Sequence, residues 1–189
     1  MPHPLRATIQ TAALRHNLGR LRDAAAGVKL WAVVKANAYG HGIDRVYDAL
    51  RDADGFALLD IAEAERIRAL GWFGPILLLE GAFDAEDLQH CTRLKLWPVV
   101  HDTAQIDMLA VHKATRPLRV FLKVNSGMNR LGFAPHKVCA AWHRLDELAQ
   151  VGDISLSRTS RNQIGKKHPR SCAQLLDVQP IYVLANVLE

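Results

Sequence analysis

No stretch of this sequence is apolar enough to cross a membrane as a helix; nothing approaches the roughly 18 consecutive apolar residues that a span requires. The segment Met1 to Gln10 lacks the apolar core of an export signal, which points to a cytoplasmic protein. Cysteine is scarce. The three present, Cys91, Cys139 and Cys172, are odd in number and far apart, so they suggest neither a disulfide framework nor a zinc site, in keeping with a reducing compartment. The nine histidines show no metal-ligand spacing, and no metal is expected. Strong charge of one sign is missing from most of the chain. Of the net charge of +5, residues 157–189 hold +3, from five Lys/Arg against Asp177 and Glu189, and the other 156 residues hold only +2. A nearly neutral body argues against a nucleic-acid surface, and the basic tail reads as solvated charge, so neither a nucleic-acid nor a membrane partner is expected.

What is present is a globular composition, 49% hydrophobic over 189 residues, arranged as alternating strand and helix patterns. Leu14, Leu18 and Leu21 share one face of a helix over residues 11–25, with Thr11 placed to cap it and Gly27 to stop it. Leu30 to Val34 is the first apolar strand. Ile43, Val46, Tyr47 and Leu50 have helical spacing, and Phe56 to Leu59 is the second strand. Asp60 and Glu63 form a capping-box pattern ahead of the next helix. Strands follow at Ile76 to Leu79, Leu94 to Val100 and Arg119 to Val124. Helices intervene after Asp84 and near residues 103–113, the latter expected to bury Ile106, Leu109 and Ala110. Val138, Trp142, Leu145 and Leu148 mark a further helix, and Val151 to Leu156 begins a sixth strand. The four tryptophans, Trp31, Trp72, Trp97 and Trp142, read as core or helix–sheet packing. Apolar strands alternating with helices imply parallel β/α units, and the pattern fits both a (β/α) barrel and an open doubly wound sheet.

Two segments carry chemistry. In Val33-Val34-Lys35-Ala36-Asn37-Ala38-Tyr39-Gly40-His41-Gly42 a lysine ends a buried strand and a small-residue loop follows, its glycines free to approach a ligand. Burial of such a lysine lowers its pKa and makes the amine a nucleophile and a base, which points to Schiff-base chemistry. Phe121-Leu122-Lys123-Val124-Asn125-Ser126-Gly127-Met128-Asn129-Arg130-Leu131-Gly132-Phe133 repeats the logic, with an arginine seven residues after the lysine. In one parallel sheet Lys35 and Lys123 lie at the same, carboxyl, end, where such folds place their sites. Two ammonium groups there repel unless one is neutralised, as an imine or by covalent modification. His41 reads as a residue that orders its loop or packs.

These two segments closely resemble the signatures of the N-terminal domain of bacterial alanine racemases, enzymes that interconvert L- and D-alanine with pyridoxal 5'-phosphate and supply D-alanine for peptidoglycan. The resemblance spans about residues 3–156. It implies that Lys35 forms the imine with the cofactor and takes the α-proton of D-alanine, that Tyr39 hydrogen-bonds the cofactor phosphate, and that Arg130 contacts the cofactor's phenolic oxygen and the substrate carboxylate. It also implies that Lys123 corresponds to a lysine often carbamylated in the family, an anion able to hold Arg130. The implied fold is an incomplete (β/α)8 barrel of this N-terminal-domain type, with the family's C-terminal β domain absent, and the implied assembly is a homodimer of the complete enzyme. Other pyridoxal-phosphate barrel enzymes, such as a broader amino-acid racemase or a decarboxylase, and a non-catalytic cofactor- or partner-binding fragment, are the alternatives.

After Leu156 both the resemblance and the periodicity stop. The family continues with a segment like Met-Thr-His-Phe-Ala, whereas this chain reads Leu156-Ser157-Arg158-Thr159-Ser160. The expected division is therefore a partial barrel domain, 1–156, and an unrelated basic tail, 157–189, derived from a shifted reading frame or another truncating event. Gln179 to Leu188 is apolar but has no evident partner. Six strands alone leave two open parallel edges, from which poor solubility and little or no activity of this truncated chain are expected. The second acid/base group, which in the family is a tyrosine of the partner subunit's C-terminal domain, has no counterpart in the sequence.

Overall fold

Strands arise where apolar residues run without a break, and helices where they recur every three or four positions. A computed structural model describes residues 7–25, 27–158, 163–165 and 182–185. In chain order these form α1 (Thr11–Ala24), β1 (Lys29–Val33), the single turn α2 (Lys35–Tyr39), α3 (Ile43–Leu50), β2 (Gly55–Leu58), α4 (Ile61–Ala69), β3 (Ile76–Leu78) and α5 (Ala85–Leu94). They continue with β4 (Leu96–Val100), α6 (Thr103–Val111), β5 (Leu118–Val124), α7 (Pro135–Asp146), β6 (Val151–Arg158), β7 (Gln163–Gly165) and β8 (Tyr182–Ala185). Asp60, Asp84 and Asp102 cap α4, α5 and α6 through side-chain bonds of 2.8 Å to Ala62 N, Asp87 N and Ala104 N. In α1 the cap residue is Gln10, without a side-chain bond, and Thr11 is already helical. In α6 the buried residues are Gln105, Ile106 and Leu109; Ala110 faces outward.

Strands β1 to β6 pair in parallel and in sequence order, which makes the (β/α) barrel reading the correct one of the two open alternatives. The sheet is incomplete as a (β/α)8 barrel, because its last two positions are filled differently. β7 runs antiparallel to β6 and to β8, and β8 lies parallel to β1, closing the ring. The expectation of two open edges is thereby corrected. Tyr182–Ala185 finds its partner in Lys29 to Ala32, whose backbone groups are satisfied by pairing.

Closure creates two cores. Leu30, Ala32, Val34, Phe56, Leu58, Ile76 and Leu78 pack outward against the helices. Trp31, Val33, Ala57, Leu77, Val99 and Phe121 fill the barrel interior with Leu79 and Trp97. Because both faces are buried, the strands read as continuous apolar runs. Trp31 fits only because β2 begins with glycine: a Cβ at Gly55, its register partner, would lie 2.8 Å from the indole. Trp31 and Trp97 meet at 5.2 Å between ring centroids, and Phe121 stacks on Trp97 at 5.9 Å. Towards the amino end the Arg119 guanidinium covers Trp97 at 4.4 Å and pairs with Asp153. Trp72 and Trp142 pack between helices and sheet.

Cys91 is free and buried. Burial, aided by Asp87, pushes the Cys91 thiol up to about 12. No helix among the described residues is long and apolar enough to cross a membrane.

Candidate functional site

Side chains alternate across a strand, so each inward residue of the barrel predicts the next one two positions on. Trp31 and Val33 point inward, and Lys35 continues their row just past β1. Phe121 points inward, and Lys123 follows it at the end of β5. Val99 points inward, and His101 stands one residue beyond β4. The barrel therefore gathers both sequence-predicted lysines at its carboxyl end, opposite the Arg119–Asp153 pair.

The chain leaves β1 in an unusual way. Ala36, Asn37, Ala38 and Tyr39 all have φ between 52° and 55°, a left-handed turn of four residues other than glycine. Such backbone costs about 1–2 kcal/mol per residue for L-amino acids and occurs mostly as single residues. It is held by Ala38 N to Val34 O (2.8 Å), Gly40 N to Ala36 O (2.9 Å) and Gly42 N to Asn37 O (2.9 Å). His41 donates from Nδ1 to Ala38 O at 2.8 Å and so orders the loop, as the sequence suggested. Outside the turn, Asn37 N donates to Glu63 Oε1 at 2.5 Å, and Asn37 Oδ1 accepts from Ile43 N (3.0 Å) and Arg66 (3.1 Å). The turn folds Tyr39 back towards Lys35, whose Nζ lies 5.9 Å from the ring centroid. Tyr39 is partly exposed and lines a groove of about 640 Å³ with Thr8, Gln10, Asn17 and His41.

Burial falls on the other lysine. Lys35 is half-buried, whereas Lys123 is only 9% exposed. Lys123 Nζ donates to Leu79 O at 3.3 Å. Its pKa lies below the ordinary lysine value, chiefly through burial and then through the charge of Arg130; Glu80 opposes the shift and Lys35 adds to it. The repulsion expected between the two lysines is thus present, but it is smaller than the effect of burial. Arg130 is exposed, on a loop whose turn is knit by Asn125: its Oδ1 accepts from Gly127 N (3.1 Å) and Asn129 N (3.0 Å). Phe133 N to Lys123 O (2.8 Å) closes that loop back onto β5.

Three further residues at this end carry no motif. His101 donates from Nε2 to Glu80 O at 3.0 Å, and Gln105 Nε2 donates to the same oxygen at 2.9 Å. The His101 pKa is lowered, first by burial and then by Lys123. Gly81, with φ at 74°, lets this segment pass under β4; a Cβ there would lie 1.9 Å from Val99 O. The strand-end rule that singled out the lysines would also have found His101. Glu63 was read only as half of a capping box, and nothing local reveals its second bond. Among the described residues no group of three or more His, Cys, Asp or Glu converges on a metal-sized site.

The donor set is two lysines, an arginine and a phenol around one mouth, suited to a small, multiply anionic ligand. Residues 9–157 match the sequence profile of the alanine racemase N-terminal domain. This chain belongs to that family. The alanine racemase of Variovorax paradoxus is 69% identical over 156 residues, covering 82% of this chain and 43% of the relative. That of Delftia acidovorans is 61% identical over 176 residues, covering 93% and 48%. The biosynthetic alanine racemase of Pseudomonas aeruginosa superposes with a TM-score of 0.78 at 37% identity, over 93% of this chain and 51% of the other. The chain thus spans about half the length of the relatives it matches. Alanine racemases are isomerases that use pyridoxal phosphate, and the cationic donor set here suits an anionic group such as a phosphate.

Proposed function

We propose that this chain supplies the cofactor-holding wall of an alanine racemase acting on L- and D-alanine. The observation that carries this reading is the convergence of Lys35, Lys123 and Arg130 at one barrel mouth, beside the left-handed turn that carries Tyr39. When bound, pyridoxal 5'-phosphate draws electrons from the α-carbon and so acidifies the α-proton. Lys35 then has two tasks: its Nζ anchors the cofactor, and, once freed, it accepts the α-proton on one face of the substrate. The Tyr39 hydroxyl donates to the phosphate. Arg130 forks onto the substrate carboxylate and the phenolic oxygen. Lys123, whose lowered pKa raises its share of neutral amine, is the group to react with carbon dioxide: an N–C bond forms, a proton leaves, and the resulting carbamate faces Arg130 as an anion.

Racemisation also needs a proton carrier on the opposite face, and none of the described residues is assigned to it. We therefore read the chain as inactive alone, its activity belonging to a dimer of the full-length protein in the cytoplasm. The deciding experiment is incubation with pyridoxal phosphate, reduction with borohydride and mapping of the labelled peptide. Label concentrated on Lys35 supports the reading; label spread over surface lysines, or none, refutes it.

A further inference from the structure

We infer that Glu63 is a positioning residue for Lys35: its buried carboxylate pins the Asn37 amide and so holds the left-handed turn that sets where Lys35 and Tyr39 point. This deepens the cofactor-site reading and rests on it. Glu63 is 8% exposed, and its two oxygens serve two elements. Oε2 accepts from Asp60 N at 3.4 Å, closing the capping box of α4, while Oε1 accepts from Asn37 N at 2.5 Å, 26 residues away in sequence. Both bonds end on a carboxylate, the stronger kind of acceptor, and the second is the shorter by 0.9 Å. It also falls on the second residue of a strained turn, where the backbone most needs a partner from outside. Arg66, one turn further along α4, grips Asn37 Oδ1 and Asp44, so the same helix holds both polar ends of Asn37. Besides its bond back to Val34 O, the Lys35 turn is therefore fastened to α4, and Glu63 is the side chain of that helix that reaches the turn's backbone.

The test uses the full 189-residue chain without cofactor, following exchange of the Asn37 amide, which reports the Glu63 bond directly. Glu63→Ala is expected to speed that exchange about tenfold to a hundredfold, the loss typical of a hydrogen bond to a charged group. Glu63→Gln, which keeps an oxygen but no charge, is expected to speed it roughly threefold to tenfold. Asp60→Ala, which removes the other arm of the capping box and leaves the Glu63 carboxylate in place, is expected to leave it within about twofold. An unchanged rate in Glu63→Ala, or an equal acceleration in Asp60→Ala, overturns the assignment. Should Glu63→Ala not fold, the rate in Glu63→Gln decides, and an unchanged value overturns it. A second readout is the share of reduced pyridoxyl label on Lys35 relative to all other lysines, which falls in Glu63→Ala and not in Asp60→Ala. If the unsubstituted chain fails to concentrate label on Lys35, the cofactor reading fails, while the exchange rates still decide the role of Glu63.

Discussion

Gly81→Ala should be among the most damaging single-atom additions in this chain, and its cost can be built from the structure. Gly81 has φ at 74°, and a Cβ there would meet Val99 O at 1.9 Å and Gln105 Nε2 at 2.8 Å. The left-handed backbone costs alanine about 1–2 kcal/mol. The clash is with backbone of an interior strand, so relief requires the Glu80–Ala82 segment to move away from β4. That movement breaks the bonds from Gln105 to Glu80 O (2.9 Å) and Ala82 O (3.2 Å). Each is worth roughly 1 kcal/mol, and a buried polar group left unpaired costs more. The total is about 3–4 kcal/mol, a large part of the roughly 5–15 kcal/mol of a typical domain. With a urea slope of about 1–3 kcal/mol per molar, the unfolding midpoint falls by roughly 1–4 M. Gly71 provides the control: its φ is 90° but nothing lies within 4 Å of a Cβ. Gly71→Ala should cost only the backbone share, about 1–2 kcal/mol. If Gly81→Ala loses no more than Gly71→Ala in urea melts, the close approach of this segment to β4 is wrong, and with it the support of Leu79 beneath Lys123.

Three further outcomes are expected. The folded pKa of Lys123 lies below the ordinary value of 10.5, so the folded state holds fewer protons than the unfolded one between those two values; in carbonate-free buffer, stability rises with pH across that window, and Lys123→Met abolishes the rise in pH-dependent urea midpoints. Arg119→Ala removes a partly exposed ion pair with Asp153 and the cation over Trp97, costing about 1–2 kcal/mol; a matching change in tryptophan emission checks that the interior aromatic stack is what responds. Deleting residues 163–189 removes β7 and β8 and reopens β1 and β6, so light scattering and thioflavin binding should increase; an equally monodisperse shortened chain would refute the β8–β1 pairing.

Much of the helix and strand order was legible because each element depends on neighbours in sequence. The β1 run from Leu30 to Val34 and the Asp60–Glu63 capping box are local patterns, and both appear within a residue of where they were read. The reading failed where distant partners decide. Thr11 has cap chemistry, yet the cap position falls on Gln10 and Thr11 is already helical. Ala110 was assigned to the core by spacing, but α6 turns Gln105 inward instead, because Glu80 O and Ala82 O are there to receive it. Within the run Gln179 to Leu188, Tyr182–Ala185 seemed partnerless because its partner, β1, lies some 150 residues earlier in the chain.

The sequence by itself determined which residue types stand at the barrel mouth: a lysine at the end of a buried strand, followed by AYGHG, and a second lysine followed by an arginine. These are properties of residue type and short spacing. Tertiary structure alone decided which lysine is buried, since Lys123 and not Lys35 is enclosed beneath its neighbours. It alone brought Glu63 to Asn37 and His101 to Glu80, across 26 and 21 residues respectively. The reason is physical. Period and propensity act over one turn or one pleat, whereas burial and hydrogen-bond partnership are settled only when the barrel closes and residues remote in sequence share one mouth.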